Sequence, residues 1–229
     1  MAKLSTTQTD ALMQTEALPE DEKVVKKRVP GATRKKLLAA GRKEFANRGL
    51  EGARVDEIAK RAGVNKQLVY HHFGNKDELY RHVLESIYFE IRKREQGLKL
   101  DTLPPLEAIQ KLVEFSFDYT AKNRDFTAML IDENVHKGRH MKDIKDLELL
   151  HSPLITAIER ILKRGEKEGV FRSGLNPEQL YMSIAGLGFF YFSNIYTLSA
   201  IFGHKLDTPE NISERKAHVV KLITDAVVR

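Results

Sequence analysis

Lys66, Gln67, Tyr70 and His71 stand at i, i+1, i+4 and i+5, a spacing that gathers a cation, an amide and two rings on one helix face. Those groups suit the major groove of DNA: lysine donates to guanine O6 and N7, and glutamine pairs with adenine N6 and N7. They need a short helix held out from the body at a fixed angle, and the preceding residues supply the mount. Val55, Ile58, Ala59 and Ala62 fall at i, i+3, i+4 and i+7, which predicts a short helix. Gly63 can take the positive φ of the turn that ends it, and Asn65 has the chemistry of an N-cap for a further helix to about His72. Two short helices joined this way form a helix-turn-helix, whose later helix can lie in the major groove. Ala59 is small enough for close approach, and Val64 and Leu68 are expected to plug the angle between the helices. Glycine-turned helix pairs also occur in plain bundles, so this spacing alone leaves that reading open.

The placement of charge says more than its size. The chain has 229 residues, 38 Lys and Arg, 32 Asp and Glu, and a formal net charge of +6. Residues 31–75 hold ten Lys and Arg against four Asp and Glu, a net of +6; 1–30 net zero, 76–100 net +1 and 101–229 net −1. A basic module beside a near-neutral body suits a polyanion partner. A solvated basic face would carry the same charge. With no cysteine, disulfides, thiolate-bound metals and thiol nucleophiles are excluded, which suits a reducing cytoplasm. The first thirty residues have no basic start followed by an apolar run, so no secretory signal is expected.

The run Ile58-Ala59-Lys60-Arg61-Ala62-Gly63-Val64-Asn65, then Leu68-Val69-Tyr70-His71-His72-Phe73 and Asn75-Lys76-Asp77-Glu78-Leu79, resembles the DNA-binding domain of the tetracycline-repressor (TetR) family. Phe45-Ala46-Asn47-Arg48-Gly49-Leu50-Glu51-Gly52 is similar to that family's first-helix ending. The likeness covers about residues 31–80 and includes Tyr-x-His-Phe followed by a lysine where a fourth helix starts. It implies an all-α fold: an N-terminal three-helix helix-turn-helix domain and a C-terminal helical domain for ligand binding and dimerisation. It also implies that Tyr70 lies against base edge and backbone, that His72 and Lys76 contact phosphates, and that Lys66 and Gln67 choose the bases. His71 is left between these jobs and a solvent-facing position. Lys76, near a helix N-terminus, has amides beside it that also suit an anion. In one place the chain departs from the pattern: Arg54 stands where the family commonly has a capping Thr or Ser. Arginine has no acceptor to cap with, which leaves that helix's start open, and Arg54 could instead give a phosphate a charge-assisted hydrogen bond.

The elements behind these residues read as helices throughout, about nine or ten of them, with no period-2 alternation. Residues 1–28 are polar and without period, a disordered tail by composition, in which Lys23–Arg28 could touch phosphates. The helix-turn-helix domain is expected over 29–76, a connecting helix over 77–100 and the ligand-binding and dimerisation domain over 101–229. The second of Pro104 and Pro105 can sit in the first turn of the next helix. Helical blocks follow at about 105–122, 126–140, 143–168, 176–202 and 211–227.

From Gln179 to Gly203 no residue is charged and aromatics crowd in. That length could span a bilayer, yet Ser183, Ser193, Asn194, Thr197 and Ser199 make it only moderately apolar, so no membrane partner is expected. A helix apolar all round is buried on most sides. Leu187, Tyr191 and Ile195 here, with Leu154, Ile158 and Ile161 of the preceding block, are therefore the expected dimer contacts. A twofold dimer doubles the bases read, on a palindrome.

Phe115, Tyr119 and Met129, with the aromatic Phe189, Phe192 and Tyr196, are the expected walls of a small-molecule pocket, though core packing would place them equally well. Glu133, His136 and His140 fall at i, i+3 and i+7 of one expected helix face. A solvated face, pocket-lining groups and a metal site all fit that spacing, but it lacks the His-Glu-x-x-His order of a zinc hydrolase. His136 is taken with the pocket, and no metal, cofactor or catalytic residue is expected. These residues point to a homodimeric, cytoplasmic, non-enzymatic DNA-binding regulator, probed by a small-molecule effector whose binding shifts the connecting helix and releases a palindromic operator. A DNA binder without sequence preference is the second reading, and an enzyme on a borrowed fold the third.

Overall fold

The computed structural model describes residues 31–144 and 147–229; the expected tail over 1–28 lies outside them. Among the described residues it is all-α: α1 (Ala32–Gly52), α2 (Val55–Ala62), α3 (Lys66–Phe73), α4 (Lys76–Gln96), α5 (Pro105–Lys122), α6 (Arg124–Val135), α7 (Arg139–Lys142), α8 (Leu147–Lys167), α9 (Pro177–Ser193), α10 (Ile195–Phe202) and α11 (Pro209–Val227). That is more helices than the sequence blocks give, because two blocks are broken. Lys137 and Gly138 take left-handed φ of 58° and 67°, which stops α6 and makes α7 a separate turn. At Asn194 the long uncharged stretch bends by 69°, so the single expected block over 176–202 is broken there: Ile195 is buried but Phe202 is exposed. No single helix among the described residues is long and apolar enough to cross a membrane.

Caps fix several helix starts. Asn65 Oδ1 accepts the Gln67 amide (2.9 Å), Asn75 Oδ1 that of Glu78 (2.8 Å) and Asn176 Oδ1 that of Gln179 (3.0 Å). Arg54, at the N-cap of α2, makes no side-chain cap, as its chemistry requires. The Arg54 amide instead donates to Glu44 Oε1 at 3.4 Å.

Two apolar cores organise the chain. One joins α1 to α4, with Leu37, Phe45, Ile58, Val69, Phe73, Leu79 and Val83, and also takes in Tyr119, Phe126, Met129 and Ile144 from farther along. The other gathers α5, α8, α9 and α11 around Ile109, Phe117, Ile158, Ile161, Ile184 and Val219. Met129 is wholly buried in the first core and Phe192 is buried in the second, so both of these pocket candidates are core.

Gly49 decides how α1 ends. At φ 65° and ψ 179° it breaks the helical path, and the next amide, Leu50 N–H, donates to Asp132 Oδ2 at 3.0 Å. A Cβ on Gly49 would lie 2.5 Å from Asp132 Oδ1. Gly49→Ala therefore meets both a left-handed backbone penalty and a clash. It should destabilise the fold by about 1–3 kcal/mol, read as a lowered melting temperature; an unchanged melt would mean that the kink relaxes freely.

Candidate nucleic-acid interface and cavity

α2 and α3 are mounted by backbone chemistry. Gly63, at φ 66°, lets its amide donate to Lys60 O (3.1 Å) and the Val64 amide to Ala59 O (3.0 Å), the paired bonds that close a helix on a left-handed residue. Val64 packs on the first core, but Val69 (1 % exposed) and Phe73 anchor α3, where Leu68 was expected to, and Leu68 is half-buried. Residues 69 and 73 share a face four apart, which turns Lys66, Gln67, Tyr70 and His71 outward into solvent. Arg34 reaches across from α1, its guanidinium 5.3 Å from the centre of the Phe73 ring.

The outward groups differ in how free they are. Lys66 Nζ lies 2.9 Å from Asp56 Oδ1, and that carboxylate raises the ammonium's pKa. Both partners are about half exposed, so the pair is worth little and exchanges readily for another anion. Arg54 is exposed beside them. His72 is half-buried, its ring centre 5.3 Å from that of His71 and 6.1 Å from that of Phe73. Lys76 Nζ reaches back to Glu51 O (3.3 Å) and Ala53 O (3.5 Å), tying the start of α4 to the carbonyls that end α1. Lys76, expected at a phosphate, thus already helps to hold the head together.

Sequence reasoning missed the groups that brace this head. Glu44, 2 % exposed, gathers Arg48 (3.4 Å), Arg61 (3.5 Å) and the Arg54 amide. Its signal was present: it falls on the stripe of Leu37, Gly41 and Phe45, where a carboxylate is out of place. Arg42 bridges α1 to Glu90 of α4 (2.7 Å) and Asp125 of α6 (3.1 Å). Asp132 accepts from Leu50 N–H and from the Tyr80 hydroxyl (2.8 Å). Burial, together with that bond, holds the Tyr80 phenol well above its ordinary pKa.

Behind the head lies a cavity of about 270 Å³ between α4, α5, α6 and α9. Tyr88, Ile91, Arg92 and Glu95 of α4 and Ser116 and Thr120 of α5 form one side. Phe126, Leu130 and Asn134 of α6 and Tyr181, Ala185 and Phe189 of α9 are among the groups of the other. Aromatic walls with a few polar groups are what a small-molecule site needs.

Of the seven pocket candidates read from sequence, Phe189 stands on this cavity. Phe115 and Tyr119 pack on the first core, with Tyr119 5.5 Å behind Phe126 (ring centres). Phe192 stacks under the Arg124 guanidinium at 4.2 Å, and Tyr196 is 81 % exposed beyond the bend at Asn194. His136 caps α6 and lies between Asp132 (3.8 Å) and Glu51 (3.8 Å), beside the reading head. Glu133 and His140 do not form a solvated face. Both are buried, and Glu133 accepts from the His140 and Met141 amides (2.7 and 3.0 Å) while His140 Nδ1 lies 2.8 Å from it, so Glu133 caps α7.

The expected dimer contacts also need correction. Leu154, Ile158, Ile161, Tyr191 and Ile195 are at most 6 % exposed, consumed by the chain's own second core, and Leu187 is half-buried at its edge. The period found the apolar stripe but not which side of it faced inward. Exposed apolar surface lies instead on the other face of α9, at Met182 and Phe190, on α10 at Ile201 and Phe202, and on α11 at Leu222.

Comparison with known proteins agrees with this geometry. Residues 37–83 match the family described as bacterial regulatory proteins, tetR family, and residues 105–223 match the tetracyclin repressor-like C-terminal domain. The chain is 32 % identical over 197 residues to the HTH-type transcriptional repressor NicS of Pseudomonas putida, covering 86 % of this chain and 91 % of that one. It is 34 % identical over 160 residues to the HTH-type transcriptional repressor SCO4008 of Streptomyces coelicolor, covering 69 % and 78 %. Its fold is shared with a regulator from Saccharomonospora viridis in complex with choline, at TM-score 0.67 and 20 % identity over 86 % of this chain and 97 % of that one. The relatives are transcriptional regulators, and nothing in them favours a DNA binder without sequence preference. With its reading head and most of its body matched in this way, the chain belongs to the tetR family and is a sequence-specific DNA-binding transcriptional regulator.

Proposed function

We propose that a homodimer of this chain represses transcription from a palindromic operator and leaves it when a small molecule fills the cavity between α4, α5, α6 and α9. One observation carries the reading: α6 has two faces with two duties. Phe126, Leu130 and Asn134 line the cavity, while Asp125 and Asp132 of the same helix hold α1 and α4 of the reading head. α4 is shared in the same way. Leu79, Tyr80 and Val83 lie in the head's core, and Tyr88, Ile91, Arg92 and Glu95 line the cavity about two turns on. A ligand that prefers one packing of α4 against α6 therefore biases the angle of α1 and, through it, of α3. A coupling of about 1–3 kcal/mol changes operator affinity roughly 5–150-fold.

α3 has two turns and reads few bases, so specificity needs two copies. The exposed apolar faces of α9 and α11 suit a second copy of the chain. A groove of Met182, Ser183, Gly186, Leu187, Leu222, Ile223 and Ala226 runs between them, and a Cβ on Gly186 would meet open space. A partner's helices laid there would remove from water a patch that monomers rarely leave bare. The regulator works on DNA in the cytoplasm, without catalysis and without a cofactor; the partners of this reading are the operator duplex, the effector and its own second copy.

Two measurements test this. Operators selected from random DNA should lose about 1–3 kcal/mol of affinity with Gln67→Ala, while scrambled DNA at the same salt hardly changes; equal loss on both would remove Gln67 from base reading. In sedimentation equilibrium the chain should be a dimer, and Phe190→Asp with Leu222→Asp should make it a monomer with weakened operator binding. A monomeric parent chain, or an unaffected variant, would overturn the interface.

A further inference from the structure

The cavity holds one feature that an apolar pocket does not need. Arg92 and Glu95 are 6 % and 7 % exposed, and Arg92 Nη1 donates to Glu95 Oε2 at 2.5 Å. Arg92 Nη2 donates to the Tyr181 hydroxyl at 3.2 Å, and the guanidinium carbon lies 5.8 Å from the centre of that ring. Its Nε–H is also buried and has no hydrogen-bond partner among the described residues. A buried donor left unmade costs the full desolvation of that group. The pair is also a shared wall: a second cavity of about 210 Å³, bounded by Lys99 and Arg160, is lined by Arg92 and Glu95 as well.

The two partners are not equally committed to their charges. Arginine cannot give up its proton in a protein. Glu95 can take one easily, because burial pushes its carboxyl up to about 7 against the opposing pull of Arg92. When Glu95 is neutral, the cavity holds an uncompensated cation with a spare buried donor. A ligand cation would have to share Glu95 with the guanidinium, which sets two positive groups beside each other. A ligand anion meets a fork that matches a carboxylate in geometry as well as in charge. The rings of Tyr88, Phe126, Tyr181 and Phe189 then surround the rest of the molecule. At about 270 Å³ the space lies just below the usual range of ligand pockets, roughly 300–1,000 Å³, and so suits a compact ligand.

We propose that the effector is a compact carboxylic acid with a flat, largely apolar body, whose carboxylate takes Arg92 in place of Glu95. The proposal rests on the reading that this cavity is the effector site. Glu95 is displaced with a proton taken from solvent, so the buried charge stays balanced. Glu95 thus acts as an internal stand-in for the ligand, and the aromatic walls select a body that can lie between rings.

The test is calorimetric titration of the full chain with benzoate, phenylacetate and 2-naphthoate, each against its primary amide, and with benzyltrimethylammonium. At least one acid should bind, with its amide about tenfold weaker or more. Arg92→Met should weaken that acid by a similar factor, and Glu95→Gln should leave it equal or tighter. Because Arg92→Met strands a buried carboxyl, Arg92→Met with Glu95→Gln serves as the second variant, its folding checked by helical circular dichroism. Equal binding of acid and amide, preference for the ammonium, unchanged acid binding without Arg92, or no acid binding at all would each overturn the proposal. Operator affinity measured alongside separates the two readings. An amide or ammonium that binds and loosens the operator keeps the effector site and sinks the acid chemistry. An acid that binds by these rules but leaves the operator untouched keeps the chemistry and sinks the effector role.

Discussion

The position of the reading head depends on one carboxylate. Asp132 of α6 accepts the Leu50 amide, which the kink at Gly49 frees from α1, and the hydroxyl of wholly buried Tyr80 in α4. Without a side chain at Gly49 the backbone comes close enough for that bond; a Cβ there would lie 2.5 Å from Asp132 Oδ1 and push the carboxylate aside. α2 begins at Val55, so its direction is set almost at once by how α1 ends, and α3 follows from α2 through the short turn at Gly63. Arg42, eight residues and about 12 Å before Leu50 along an α-helix, makes a second attachment to α4 and α6 through Glu90 and Asp125. Two anchors on one rigid helix define its orientation, whereas one anchor would leave a pivot.

That arrangement explains which parts of the molecule were legible in the sequence. The helix-turn-helix was, because its determinants are local: Gly63 for the turn, Asn65 for the cap, and the spacing that gathers Lys66, Gln67, Tyr70 and His71 on one open face of α3. The polar clamps were not, because Arg42 and Asp125 are 83 positions apart, and Leu50 and Asp132 are 82 apart. No period reports such pairs. Helix breaks inside apolar runs were hidden for a different reason. Asn194 has no strong propensity against continuing a helix, and the 69° bend between α9 and α10 is a matter of tertiary packing. Most of the dimer and pocket candidates, Phe189 and Leu187 aside, lie in the chain's own cores for the same reason: a stripe of large apolar groups shows that a helix is buried, not which neighbour buries it. Glu44 and Glu95 were the exceptions that could have been read, as carboxylates on the stripes of Phe45 and Ile91.

The cavity, the apolar seam and the reading head meet on few elements, and this favours an all-or-none response over a graded one. Met182 and Gly186 of α9 stand both on the cavity and on the groove between α9 and α11. A second chain lying in that groove would border the cavity. Phe126 of α6 belongs to the head's core and to the cavity wall, with Tyr119 packed behind it. Close-packed side chains of this kind pass a displacement on rather than absorb it. A ligand that moves α6 must carry Asp125 and Asp132 with it, and both are bonded to groups in the head. The alternatives are to break those charge-assisted bonds or to move α1. Breaking them would leave Asp125 and Asp132, each less than a third exposed, without those partners. On the proposed reading, the polar clamps that hold the head steady without a ligand are the same contacts that would carry it along with one.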